Sequence, residues 1–122
     1  MGSLVFFELS ADDVQRAVKF YRDVFGWKIE GVEEAGDYCM ISTGDEDEGA
    51  ISGAIMERAD PYESTINTFD VPNLDSFARK ITEAGGEVIA PKQSIPGLGY
   101  VQYCRDTEGN TFGVIEYDDP AS

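Results

Sequence analysis

FELSADDVQRAVKFYRDVFGWKI (residues 7–29) and FDVPNLDSFARKITEAGGEVI (residues 69–89) are two versions of one pattern. Each opens on an aromatic–acid–aliphatic triplet, Phe7-Glu8-Leu9 and Phe69-Asp70-Val71. A capping residue follows in each, Ser10 with Asp13 three later and Asn73 with Ser76 three later. Apolar residues then recur at helical spacing: Val14, Ala17, Val18, Tyr21 and Val24 in the first, Leu74, Phe77, Ala78, Ile81 and Ala84 in the second. Both stretches close on glycine, which adopts the left-handed helix end without strain. Self-similarity over about sixty residues marks an internal repeat.

Working outward, each helix is followed by three strand-like pieces. They cover residues 27–32, 38–42 and 50–56 in the first half, and 87–90, 100–104 and 111–117 in the second. Turn residues separate them: Gly36, Gly44 with Gly49, Pro96-Gly97 and Glu108-Gly109-Asn110. The reading is a single domain over residues 1–122 of class α+β. It holds two tandem βαβββ modules, about 3–58 and about 63–118, with eight strands and two main helices. Neither module is large enough to close a core alone.

The 122 residues carry 24 Asp+Glu against 9 Lys+Arg and no histidine, for a net charge of −15. That balance argues against a nucleic-acid partner, whose phosphates need cations, and against anionic membranes. The missing histidine removes Ser-His-Asp and Cys-His catalysis from this chain. No apolar run reaches membrane-spanning length and no secretory leader is visible, so a reduced cytoplasm is expected. Cys39 and Cys104 lack CxxC spacing and read as small apolar packing residues in strands. Trp27 with the aromatics around Phe20 and Phe25 reads as helix-to-sheet core. The acidic segment 43–49 reads as a solvated hairpin turn, because the twelfth position of a calcium loop would fall on Ile55.

The opening Phe7-to-Asp13 segment, the Phe20-Tyr21…Phe25-Gly26-Trp27 helix end and the closing Asp106-to-Gly113 segment together resemble the glyoxalase, bleomycin-resistance and extradiol dioxygenase superfamily, also called vicinal oxygen chelate. The likeness runs from about Ser3 to Tyr117, and short lactoylglutathione lyase-like members are the most similar in layout. It implies a curved, mostly antiparallel sheet of eight strands, a small-molecule ligand, homodimers that share or swap modules, and a divalent ion held by one residue from each of four strands. Motif by motif, those four positions fall on Phe6, Ile66, near Gly53 and Gly113, none of which offers an oxygen or nitrogen donor. The expectation is therefore no metal site and no cofactor.

The alternation of Val5, Phe7 and Leu9 with Phe6 and Glu8 puts Phe6 and Glu8 on the concave side. Glu8 is the candidate catalytic acid or base, since burial there raises a carboxyl group toward the useful range. A structural role, with an Arg or Tyr holding the carboxylate, stands beside it. Phe6, Ile66, Asp70, Tyr100 and Tyr103 are the candidate binding residues, with Ile51, Ile55 and Ile115 completing an apolar cleft. Asp70 is expected at the place Glu8 takes in the first module. The segment 91–100 reads either as a lid or as an ordinary crossover. Three functions follow: a binder of a small organic molecule, a lyase or isomerase using Glu8 as acid or base with or without an atypical metal, and a dimeric interaction domain.

Overall fold

A computed structural model describes residues 2–32, 37–59 and 64–118. The chain divides into two compact units, Phe6–Ile66 on the one hand and Met1–Val5 with Asn67–Ser122 on the other. In order the elements are β1 (Leu4–Ala11), α1 (Val14–Phe25), β2 (Lys28–Gly31), β3 (Cys39–Ser42), a 3-10 turn (Glu46–Glu48), β4 (Ser52–Glu57), β5 (Ile66–Asp70), α2 (Leu74–Glu83), β6 (Glu87–Val88), β7 (Gln93–Ile95), β8 (Gly99–Arg105) and β9 (Thr111–Tyr117). The class is α+β, with two helices and a mostly antiparallel sheet. The expected turn at Gly36 lies outside the described residues.

In the first unit the strand order is β2-β3-β4-β1, with β1 parallel to β4 and the other pairs antiparallel. Helix α1 starts at Asp13, whose Oδ1 accepts from the Arg16 amide at 3.0 Å. The expected cap, Ser10, instead lies within β1. The helix stops because Gly26 turns to φ 70° and donates its N–H to the Arg22 carbonyl. Val14 and Val18 of α1 pack on Ile29, Cys39, Ile41 and Ile55, with Phe7, Leu9, Tyr21 and Trp27 around them. Each fully buried aliphatic side chain of this kind stabilises by roughly 1.5–3 kcal/mol.

The second unit repeats the plan as β5-β9-β8-β6, with β5 parallel to β9. Asn73 caps α2, accepting from the Ser76 amide at 2.9 Å, and the Leu74 amide donates to Glu116 Oε1 at 2.7 Å. Val71, Leu74, Cys104 and Val114 form the core.

Two expectations need correction. Segment 91–100 is not a plain crossover: β7 pairs with β8 through a tight turn in which Gly97 takes φ 78° and Leu98 N–H meets the Ile95 carbonyl at 3.0 Å. That makes nine strands among the described residues. The outer side of α1 is also not core, since Phe20, Val24 and Phe25 are 55%, 56% and 59% exposed. Helical spacing marked Val24 as inward, but the inner face is already filled by Val14, Val18 and Tyr21.

Candidate functional site

Residues opposite one another across a ladder share a face of the sheet. In the first unit Phe7 pairs with Gly53, Gly53 with Ile41, and Ile41 with Ile29; this is the face on which α1 packs. The row of opposite facing is Glu8, Ala54, Met40 and Glu30, with Phe6 and Ser52 paired in the same sense. Phe6 and Glu8 thus turn away from α1, as their alternation requires.

Glu8 is only 5% exposed, one of two buried polar or charged residues among those described. Tyr38 precedes β3 and alternates with buried Cys39, which puts it on the same face as Met40. Its hydroxyl donates to Glu8 Oε2 at 3.3 Å. Burial pushes the Tyr38 phenol well above its ordinary range, and the Glu8 carboxylate adds to the push by its charge and by accepting the proton. Tyr38 therefore stays a neutral donor at physiological pH. A buried carboxylate facing a fixed O–H donor can anchor a ligand donor or take a proton from one.

The other predicted binding residues part company. Ile66 opens β5 and is half-buried. Asp70 accepts from the Ser3 amide at 2.8 Å through Oδ1, while its own backbone pairs with Gly2 and Ser3, so its carboxylate holds the N-terminal segment. Tyr100 lies on the helix-packed face, beside the Val71–Leu74 core, with Lys92 Nζ 5.1 Å from its ring centroid; it does not join Tyr103. Tyr103 sits opposite Gly113, which in turn pairs with Thr68. Of the three isoleucines expected in a cleft, Ile55 is fully buried in the α1 core, Ile51 is 37% exposed, and Ile115 is buried beside Asp70 in the ladder.

The four positions that the family resemblance assigns to a divalent ion do not fit one. Phe6 and Ile66 carry hydrocarbon. Gly53 is on the helix-packed face, where an added Cβ would meet the Phe7 ring at 2.7 Å. Gly113 belongs to the other face, where a Cβ would meet Thr68 Oγ1 at 2.8 Å. The neighbours of Gly53 that face away from α1 are Ser52 and Ala54. Among the described residues no three His, Cys, Asp or Glu side chains gather as a metal site would need.

Sequence reasoning missed Tyr38. Its period-2 alternation with Cys39 signals its face, but its reach to Glu8 depends on the placing of β3 beside β4, and of β4 beside β1.

Comparisons with known proteins agree with this architecture. The profile of the Glyoxalase/Bleomycin resistance protein/Dioxygenase superfamily matches residues 3–114. A glyoxylase-like domain-containing protein of Didymella fabae is 31% identical over 121 residues, covering 93% of this chain and 92% of that protein. The anthracycline biosynthesis protein DnrV of Streptomyces peucetius is 26% identical over 131 residues, and this chain spans 46% of its length. Among solved structures, a methylmalonyl-CoA epimerase in complex with methylmalonyl-CoA and NH4+ superposes with TM-score 0.71 at 19% identity, over 100% of this chain and 99% of that one. A superfamily member from Vibrio splendidus 12B01 does so with TM-score 0.69 at 12% identity, over 97% and 100%. At these identities the structural likeness is one of fold.

Proposed function

The chain belongs to the Glyoxalase/Bleomycin resistance protein/Dioxygenase superfamily, and on that premise we propose that it binds a small organic molecule on the side of its first-unit strands turned away from α1. Phe6 and Met40 supply apolar contact there, and Glu8 supplies the polar anchor. The observation that carries this reading is the buried Glu8 carboxylate facing away from the helix core with Tyr38 donating to it. A ligand bearing a donor or a cation would find an acceptor in that carboxylate. Because the donor set does not fit an ion, recognition in this reading rests on the protein's own groups.

Isomerase or epimerase chemistry is the second reading, favoured by the same residue. Glu8 would take a proton from a carbon next to a carbonyl, the C–H electron pair passing into an enolate, with Tyr38 holding the carboxylate in line. Returning the proton to a neighbouring carbon isomerises the ligand, and protonation of the enolate from its opposite face by water epimerises it. A methylmalonyl-CoA epimerase of similar fold and a relative named for anthracycline biosynthesis are consistent with such a role. We further assign a homodimer and a reduced compartment, as expected from the sequence. Among the described residues no helix is long and apolar enough to cross a membrane.

Glu8→Gln separates the two readings. The probes are methylmalonyl-CoA, followed by deuterium uptake from D2O in proton NMR, and an organic-cation and amine panel followed by thermal shift. A binder retains a ligand-induced shift that Glu8→Gln weakens about tenfold or more in affinity, and it exchanges no proton. An acid–base enzyme exchanges the proton and loses ~10²–10⁴-fold in rate with Glu8→Gln. Neither shift nor exchange, or both unaltered in the variant, overturns the role given to Glu8.

A further inference from the structure

The outer face of α1 carries apolar surface where an acidic protein has every reason to carry charge. Phe20 and Val24 are one turn apart, and Arg16 precedes them by one more, so the three form a single ridge. Phe25, also exposed, lies on the neighbouring row with Tyr21, against which it stacks at 6.2 Å. The rings are held in place: Phe20 meets Tyr21 edge-on at 5.1 Å, and Tyr21 stacks on Trp27 at 4.9 Å and 4°. Phe25 lies on Trp27 at 5.5 Å and 26°. Rings already fixed lose little freedom when covered, and contiguous exposed apolar surface of this kind marks an interface.

The charges on α1 identify what covers it. Arg16 heads the ridge and Asp23 lies seven residues on, beside Val24, on the same side of the helix. Lys19 pairs with Asp23, and Arg22 bonds the Ile29 carbonyl. The Arg16 guanidinium meets no acid among the described residues. If a second copy is turned about a two-fold axis through Phe20, the two α1 helices run antiparallel. Phe20 then meets its own counterpart, and Arg16 lies across from Val24 and beside the second copy's Asp23. The ridge is self-complementary in sign, as a two-fold interface must be. A parallel arrangement would set Arg16 on Arg16 and Asp23 on Asp23.

We propose that the Arg16–Phe20–Val24 ridge of α1 is the surface through which two copies of this chain pair about a two-fold axis. The inference rests on the homodimer assigned above and is independent of the ligand assigned to Glu8.

Sedimentation equilibrium of the full chain tests it. Wild type is expected to dimerise, and Phe20→Glu to raise the dissociation constant by about 30-fold or more, the size of a central aromatic contact. Arg16→Asp weakens the dimer, and adding Asp23→Arg to that variant restores it, because the swapped charges meet again. Circular dichroism reports folding of each variant. As a second measurement, Phe20→Cys gives a disulfide-linked dimer under mild oxidant, while buried Cys39 and Cys104 stay out of reach. A monomeric wild type overturns the homodimer itself. A dimer that survives Phe20→Glu, or a Phe20→Cys chain that does not cross-link, leaves the homodimer standing and overturns this surface.

Discussion

The Tyr38 hydroxyl donates to Glu8 Oε2 at 3.3 Å across thirty positions of sequence. The bond joins the residue before β3 to the middle of β1, with β4 between those strands in the sheet. Neither group is free to act alone: the phenol is held neutral by burial and by the carboxylate, and the carboxylate is oriented by the phenol.

Alkaline stability is the first consequence. The folded-state pKa of Tyr38 lies above the ordinary 10.0, so the unfolded chain gives up that proton first as pH rises. Its contribution is complete below about pH 10 and is lost progressively above it. Tyr38→Phe should cost about 0.5–1.5 kcal/mol at neutral pH through the lost hydrogen bond, yet show a shallower loss of stability above pH ~10. Urea unfolding across that range checks this; parallel slopes for the two proteins would count against it.

Glu8→Gln should lower the Tyr38 pKa without returning it to the ordinary value, since the charge goes but the burial stays. NMR titration of 13C-labelled tyrosine follows the phenol directly. An unmoved Tyr38 resonance would mean that the carboxylate does not act on it.

Two glycines on last strands should respond differently to alanine. At Gly53 the new Cβ would meet the Phe7 carbonyl oxygen at 2.5 Å as well as the ring; at Gly113 it would meet only Thr68 Oγ1 below 3 Å. Backbone cannot yield as a side chain turning about χ1 can. Gly53→Ala should therefore cost about 1–3 kcal/mol, and Gly113→Ala less. Chemical denaturation measures both, and the reverse order would refute the faces assigned to these strands.

The helix cap is tested by Asp13→Ala, expected to cost ~1 kcal/mol. Hydrogen exchange at the Arg16 amide should quicken in that variant and not in Ser10→Ala. Equal exchange in both variants would restore Ser10 as the cap.

Burial pushes the Cys104 thiol above its ordinary 9.0, and Cys104 and Cys39 are 0% and 5% exposed. A thiol-specific disulfide reagent near pH 8 should label neither in the native protein and both after denaturation. Prompt labelling of the folded chain would contradict the core positions given to these residues.

Much of the fold was legible in the repeat itself. Alternation in residues 5–9 put Phe7 and Leu9 toward α1 and Glu8 away from it, and Asn73 with Ser76 marked the start of α2. These are local signals, fixed by helix and strand periods. The ends of elements were harder to read. Ser10 and Asp13 are both good caps, and only the continuation of β1 through Ala11 decides for Asp13. The β7–β8 hairpin hid behind Pro96 and Gly97, which mark a turn in either reading.

By itself the sequence determined the α+β class and the side of β1 on which Glu8 lies, because each follows from periodicity within a few residues. Tertiary structure decided which groups meet. Gly53 and Gly113 look equivalent in sequence yet fall on opposite faces, since a one-residue shift in the pairing of a first strand with a last strand reverses every side chain. Tyr38 reaches Glu8, and Tyr100 turns into the α2 core, for the same reason: strand register and neighbour are set by long-range packing that no local pattern encodes.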